Sequence, residues 1–236
     1  MLFNLGGPEN LAGVEPFLRN LFSDPAIITL PAPFRLWLAR FIAKRRSPTA
    51  SAIYRAIGGG SPILRETEAQ AVALQQVLGG NTRVFIAMRY TPPFAVDTVR
   101  ALQHFAPDHI ILLPLYPQYS KTTTGSSLAE WHQVAARAGV TAPTHSVCCY
   151  ATLPGFIAAL TDLTAAAAKK CQPGLSYRLL LSAHGLPERV INSGDPYAEH
   201  VEATAKALAA ALGRTDYQVC YQSKVGPLKW IGPATL

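Results

Sequence analysis

Acidic residues are scarce in this chain: 14 aspartates and glutamates stand against 21 lysines and arginines, a formal charge of +7. Such a balance draws anionic partners, whether nucleic acid, a lipid surface or a small polyanion, and composition does not choose among them. Cysteine is sparse too. Cys148, Cys149, Cys171 and Cys220 form no C-x-x-C pair, which removes the spacing signature of a zinc site or a dithiol redox centre and leaves reduced, mostly buried thiols as the expectation. No apolar run approaches the roughly 20 residues of a spanning helix, and the opening MLFNLGGPEN has neither the basic start nor the long apolar core of a secretory leader. A cytoplasmic location is expected. Charged residues are only 15% of the chain and hydrophobic ones 49%, which excludes a disordered polymer and supplies a core for one large or two modest domains. There is no fixed-period repeat, no G-x-G-x-x-G, no G-K-[ST] ending to a glycine loop and no G-x-S-x-G elbow, so nucleotide binding and a serine triad both lose their usual carriers.

What is present is alternation. Short apolar runs at Met1–Leu5, Arg83–Arg89, His109–Leu115, His145–Tyr150, Arg178–Ala183 and Gln218–Tyr221 read as strands. Helical spacing fills Pro62–Leu78, Phe94–Phe105, Ser126–Ala138, Pro154–Lys170 and Pro196–Leu212, often with proline near the first turn. The pattern predicts an α/β fold with parallel sheets and helices on both faces. The segment AGVTAPTH, residues 138–145, reads as a joint between two such units.

Within RLLLSAHGLPERV, residues 178–190, Leu179–Leu181 reads as a fully buried parallel strand, which sets His184 at its carboxyl end, where ligand crevices open in such sheets. Imidazole accepts protons near neutrality and ligates transition metals, so a base and a metal ligand both suit that place, beside a simple packing role. Two regions depart from the regular pattern. In PAPFRLWLARFIAKRRSP, residues 31–48, Phe34, Trp37, Leu38, Phe41 and Ile42 share a helical face beside Arg35, Arg40, Lys44 and Arg46. That is the make-up of a core-facing helix with a basic back, or of a helix lying on an anionic membrane. The loop PLYPQYSKTTTGSS, residues 114–127, crowds aromatic rings with hydroxyls. Gly58–Gly60 need be only a tight turn, with Ser61 capping a helix from Pro62, and Ser126 or Ser127 with Glu130 has the form of a capping box.

Taken in order, NLGGPEN, FIAKRRSP, YRAIGGGSPI, AMRYTPP, LYPQYSKTTTGSS, LSAHGLPERVINSGDPY and YQSKVGPLKWIGP resemble the protoporphyrin ferrochelatase family across nearly the whole chain. The resemblance implies two Rossmann-like, chelatase-type halves: residues 1–143 as the porphyrin-binding half and 144–236 as a second, incomplete half carrying His184. It implies insertion of Fe2+ into protoporphyrin IX to form protoheme, with release of two protons. His184 is the implied iron ligand or proton acceptor. Arg46, Tyr54 and Ser61 fall on porphyrin-contacting positions, Ser223 and Trp230 on the pocket wall, and Leu5 on a lip position.

Protoporphyrin and ferrous iron are thus the expected partners, without nucleic acid, and a hydrophobic substrate and product suit peripheral membrane contact. No [2Fe–2S] cluster is expected, because Lys121 stands where relatives with that cluster carry one of its cysteines. The family's C-terminal part, with a glutamate facing the histidine, is expected to be missing, and metal insertion by this chain to suffer for it. Two other readings remain open. One is a non-catalytic porphyrin-binding relative. The other, a cobalt or nickel chelatase of corrin-type pathways, is opposed by the porphyrin-side motifs.

Overall fold

The computed structural model describes residues 1–171, 177–224, 226 and 228–235. They divide into two compact units, Met1–Tyr116 with Lys121–Cys148, and Pro117–Ser120 with Cys149–Leu236. The architecture is α/β with parallel sheets.

The first unit is built on strands β1 (Leu2–Asn4), β2 (Ile86–Met88), β3 (Ile110–Pro114) and β4 (Thr144–Ser146). All are parallel, in the order β2-β1-β3-β4. Parallel neighbours require crossovers, and helices α1 (Val14–Ser23), α2 (Ala32–Ala56), α3 (Ile63–Leu78), α4 (Ala95–Phe105) and α5 (Ser126–Arg137) supply them. One core joins Phe3, Ala87, Val99, Leu102, Leu112 and Trp131. A second, around Val14, Phe17, Ala43 and Tyr90, lies where α1 packs on α2.

In the second unit β5 (Leu179–His184) pairs in parallel with β6 (Tyr217–Gln222) from Leu179↔Tyr217 to His184↔Gln222. Around them are α6 (Pro154–Ala168), the short α7 (Glu188–Asn192) and α8 (Tyr197–Ala211). Val201 and Ala205 of α8 join Val219 and Tyr221 in its core. The expectation of a fully buried strand fails here: β5 alternates half-buried and exposed residues, and Leu180 is 57% exposed. Side chains of a strand point alternately to opposite faces, and the core lies on the Leu181 and Ala183 side only.

Two local expectations also change. The loop after β3 enters a π-helix, Lys121–Gly125, that runs straight into α5. Ser126 and Ser127 are therefore inside continuous helix and cap nothing. Of the four thiols only Cys220 is buried; Cys149 is half-buried, and Cys148 and Cys171 are exposed.

Candidate active site

His184 is the last residue of β5, as the strand reading requires. The next amide, Gly185 N–H, donates to the Gln222 carbonyl at 2.8 Å. A β-carbon on Gly185 would meet that oxygen at 3.0 Å and the Trp230 ring at 3.3 Å, so the absence of a side chain lets the indole lie against the backbone beside His184. Trp230 is held by an antiparallel bridge to Pro187, with Glu188 N–H donating to Lys229 O at 2.9 Å and Ile231 N–H to Leu186 O at 3.0 Å. Ser223 follows the β6 residue paired with His184 and is exposed, its φ of 71° turning the chain out of the strand. Three predicted residues of the second unit thus gather at one strand end. The His184 side chain is open to solvent, yet the protein mass around it disfavours the charged form and lowers its pKa below the ordinary histidine value. The shift favours the free-base imidazole.

In the first unit Arg46 and Tyr54 both lie on α2. Eight residues of helix separate them by about 12 Å along its axis. Arg46 is exposed and forms no ion pair among the described residues. Tyr54 packs with the second core, and burial raises its phenol pKa. Ser61 lies against the first glycine motif: its amide donates to Pro8 O at 2.7 Å. A β-carbon on Gly7 would come within 2.6 Å of the Ser61 hydroxyl, and one on Gly60 within 2.1 Å of Glu9 O. The helix that Ser61 was expected to cap begins at Ile63, with Pro62 at the cap, while the Ser61 hydroxyl accepts the Ile63 amide at 3.3 Å. Leu5 sits beside the second core and its carbonyl accepts Tyr90 N–H at 3.0 Å.

A polar cluster that the motif reading passed over lies at the carboxyl ends of this sheet. Asp24, 3% exposed, ends α1. It accepts the Tyr90 hydroxyl at 2.8 Å and the Ser126 hydroxyl, and pairs with the Arg89 guanidinium at 2.8 Å. Arg89 also reaches Glu130 at 3.0 Å and Ser126 Oγ at 2.7 Å. Burial raises the Glu130 pKa, with Arg89 opposing and Asp24 adding to the rise. A cavity of about 260 Å³ opens beside this cluster. A larger one, about 560 Å³, is lined by Leu78, Phe85, Phe105 and Ile110 at the amino ends of the strands, the end away from which α/β sheets bind ligands.

Among the described residues no group of three or more histidine, cysteine, aspartate or glutamate side chains could hold a metal ion. No helix among them is long and apolar enough to cross a membrane.

Comparison with known proteins places these features in a lineage. The ferrochelatase family model matches residues 1–236. The chain is 51% identical to ferrochelatase of Phenylobacterium zucineum and 51% identical to that of Caulobacter vibrioides, in each case with all of this chain and 69% of the relative aligned. It is 46% identical to ferrochelatase of Pelagibacter ubique, with 70% of that relative covered.

Proposed function

Because the chain belongs to the ferrochelatase family, whose chemistry is metal chelation in heme biosynthesis, we propose that it inserts Fe2+ into protoporphyrin IX. One observation carries the reading: an imidazole, His184, at the carboxyl end of a parallel strand with an indole lying against the backbone beside it.

The reaction exchanges two pyrrole N–H protons for one Fe2+, so charge and atoms balance when two protons leave. A neutral imidazole accepts one of them at a time and passes it to water; the same lone pair can hold iron while the macrocycle opens to it. The lowered pKa keeps that lone pair available at neutral pH. Trp230 and Ser223 supply flat and polar wall beside it. On the first unit Arg46 provides a guanidinium for a propionate, the most directional of the anchors, and the Tyr54 and Ser61 hydroxyls serve the macrocycle edge. Iron is substrate here, and no [2Fe–2S] cluster is part of the proposal. The site works in the cytoplasm, with peripheral membrane contact through the exposed rings of α2.

His184→Ala is the direct test. Iron insertion should vanish while porphyrin affinity, followed by fluorescence titration, stays nearly unchanged. Retained turnover would remove His184 from the mechanism. Porphyrin binding by the unaltered chain with no iron insertion would favour the non-catalytic reading instead.

A further inference from the structure

The open face of the first sheet carries two histidines side by side. Along β3, Ile110 and Leu112 are buried while Ile111 between them is 60% exposed, because successive side chains of a strand point to opposite faces. In the parallel register Ile111 stands opposite His145 of β4. Paired residues share a face, so the exposed His145 side chain lies on the Ile111 side. His109, also exposed, stands two residues before Ile111 and returns to that same face. The two imidazole rings come to 5.8 Å between centroids, with 32° between their planes. Neither ring forms a hydrogen bond or an ion pair among the described residues.

That spacing is the one a shared metal ion imposes. A metal–nitrogen bond is about 2.0–2.1 Å, and about another 1 Å separates the nitrogen from the ring centre, so two imidazoles on one ion have centroids about 4.5–6 Å apart. Both side chains stand in solvent and keep the rotamer freedom to turn a nitrogen toward a common point. We propose that His109 and His145 form a two-imidazole clamp for a divalent transition-metal ion. No third histidine, cysteine or carboxylate joins them among the described residues, so water completes the shell. By the order of divalent affinities copper, nickel and zinc hold such a pair more tightly than ferrous iron does. The clamp lies in the first unit and His184 in the second, and it neither uses nor requires the proposed chelation chemistry.

The clamp also has a structural consequence. β4 is three residues long and stands at the edge of its sheet. Its pairing rests on few bonds, among them Ile110 N–H to Pro143 O and Val147 N–H to Leu112 O, each at 2.8 Å. An ion held by both strands binds the paired edge and not the opened one, so by linkage it stabilises the pairing.

The experiment is an NMR titration of the full chain with Zn2+ in mildly alkaline buffer, since a ligating nitrogen must be unprotonated. The Cε1–H resonances of His109 and His145 should move together with one midpoint, and exchange of the Ile110 and Val147 amides should slow. His109→Ala and His145→Ala should each weaken binding at the remaining ring roughly tenfold or more, and the double variant should lose no more than either single one, because a second ligand on one ion acts as an intramolecular partner. His184→Ala should leave both resonances and their midpoint as in the parent. If the two rings titrate with separate midpoints, or if either single variant leaves the other ring's midpoint unchanged, the histidines bind ions independently and the clamp is wrong. If neither resonance moves, the pair is a ring contact only and the proposal falls.

Discussion

Asp24 shows what a single residue can weigh. A carboxylate 3% exposed, sharing the Arg89 guanidinium with Glu130 and accepting hydroxyls from Tyr90 and Ser126, has been taken out of water and is held by these three partners. Truncating one partner of a buried pair strands the other, at a cost of about 3–5 kcal/mol. Asp24→Ala should therefore lower the urea midpoint steeply, and Asp24→Asn, which keeps shape and part of the hydrogen bonding, should lower it less. Equal losses would mean that packing and not charge holds the cluster. Arg46 is the opposite case. It is exposed, so its removal should leave stability unchanged and weaken protoporphyrin binding by about 1–2 kcal/mol, a charge-assisted contact discounted for solvent. A porphyrin esterified at its propionates should bind parent and Arg46→Ala alike; a continuing difference would assign Arg46 another role. The place of His184 at a strand end was legible because a short apolar run breaks off at S-A-H-G. Asp24 was not, because its partners Arg89, Tyr90, Ser126 and Glu130 come from distant segments that only the sheet brings to one place.

Among the elements, α2 inverts the usual arrangement. Its inward face is small, with Ala39 and Ala43 buried against α1, which lets the two helices approach closely. The large side chains stand outside: Phe34 and Trp37 are each 67% exposed and Phe41 53%, with Trp37 and Phe41 stacked 6.0 Å apart. The apolar face and basic residues were legible in residues 31–48, but periodicity alone does not say which side of such a helix packs. Nor did it show that the helix runs on through Pro48 to Ala56, since proline ordinarily argues for an ending. An exposed aromatic face on a helix with six basic and no acidic residues suits an anionic bilayer. Of the three tryptophans, Trp131 is fully buried and Trp230 half-buried, so Trp37 dominates any environment-sensitive fluorescence. Vesicles containing phosphatidylglycerol should shift the emission to the blue, and pure phosphatidylcholine vesicles should not. Exchanging Trp37 and Phe41 for alanine should cut co-sedimentation roughly tenfold. Equal binding to both vesicle types would remove charge from the interaction, and no sedimentation with either would remove the interaction itself.

Over the whole molecule, two perturbed groups give stability a pH dependence of opposite sign. Glu130 has its folded pKa raised, by burial first, with Arg89 only partly offsetting it. Between the ordinary carboxylate value and that raised value the folded chain holds more protons than the unfolded one, so the contribution of Glu130 is present in acid and is lost as pH rises through the window. His184 has its folded pKa lowered by burial. Between that lowered value and the ordinary one near 6.5 the unfolded chain holds more protons, so its contribution grows with pH and is complete above the ordinary value. Comparing each variant with the parent at every pH removes the titration of all other groups. The difference in urea midpoint between parent and Glu130→Gln should fall with rising pH, and that between parent and His184→Asn should climb with rising pH until the ordinary histidine value near 6.5 is passed. A flat line for His184→Asn would mean that the protein around the imidazole does not favour its neutral form. The free base proposed for chelation at the end of β5 would then owe nothing to the fold.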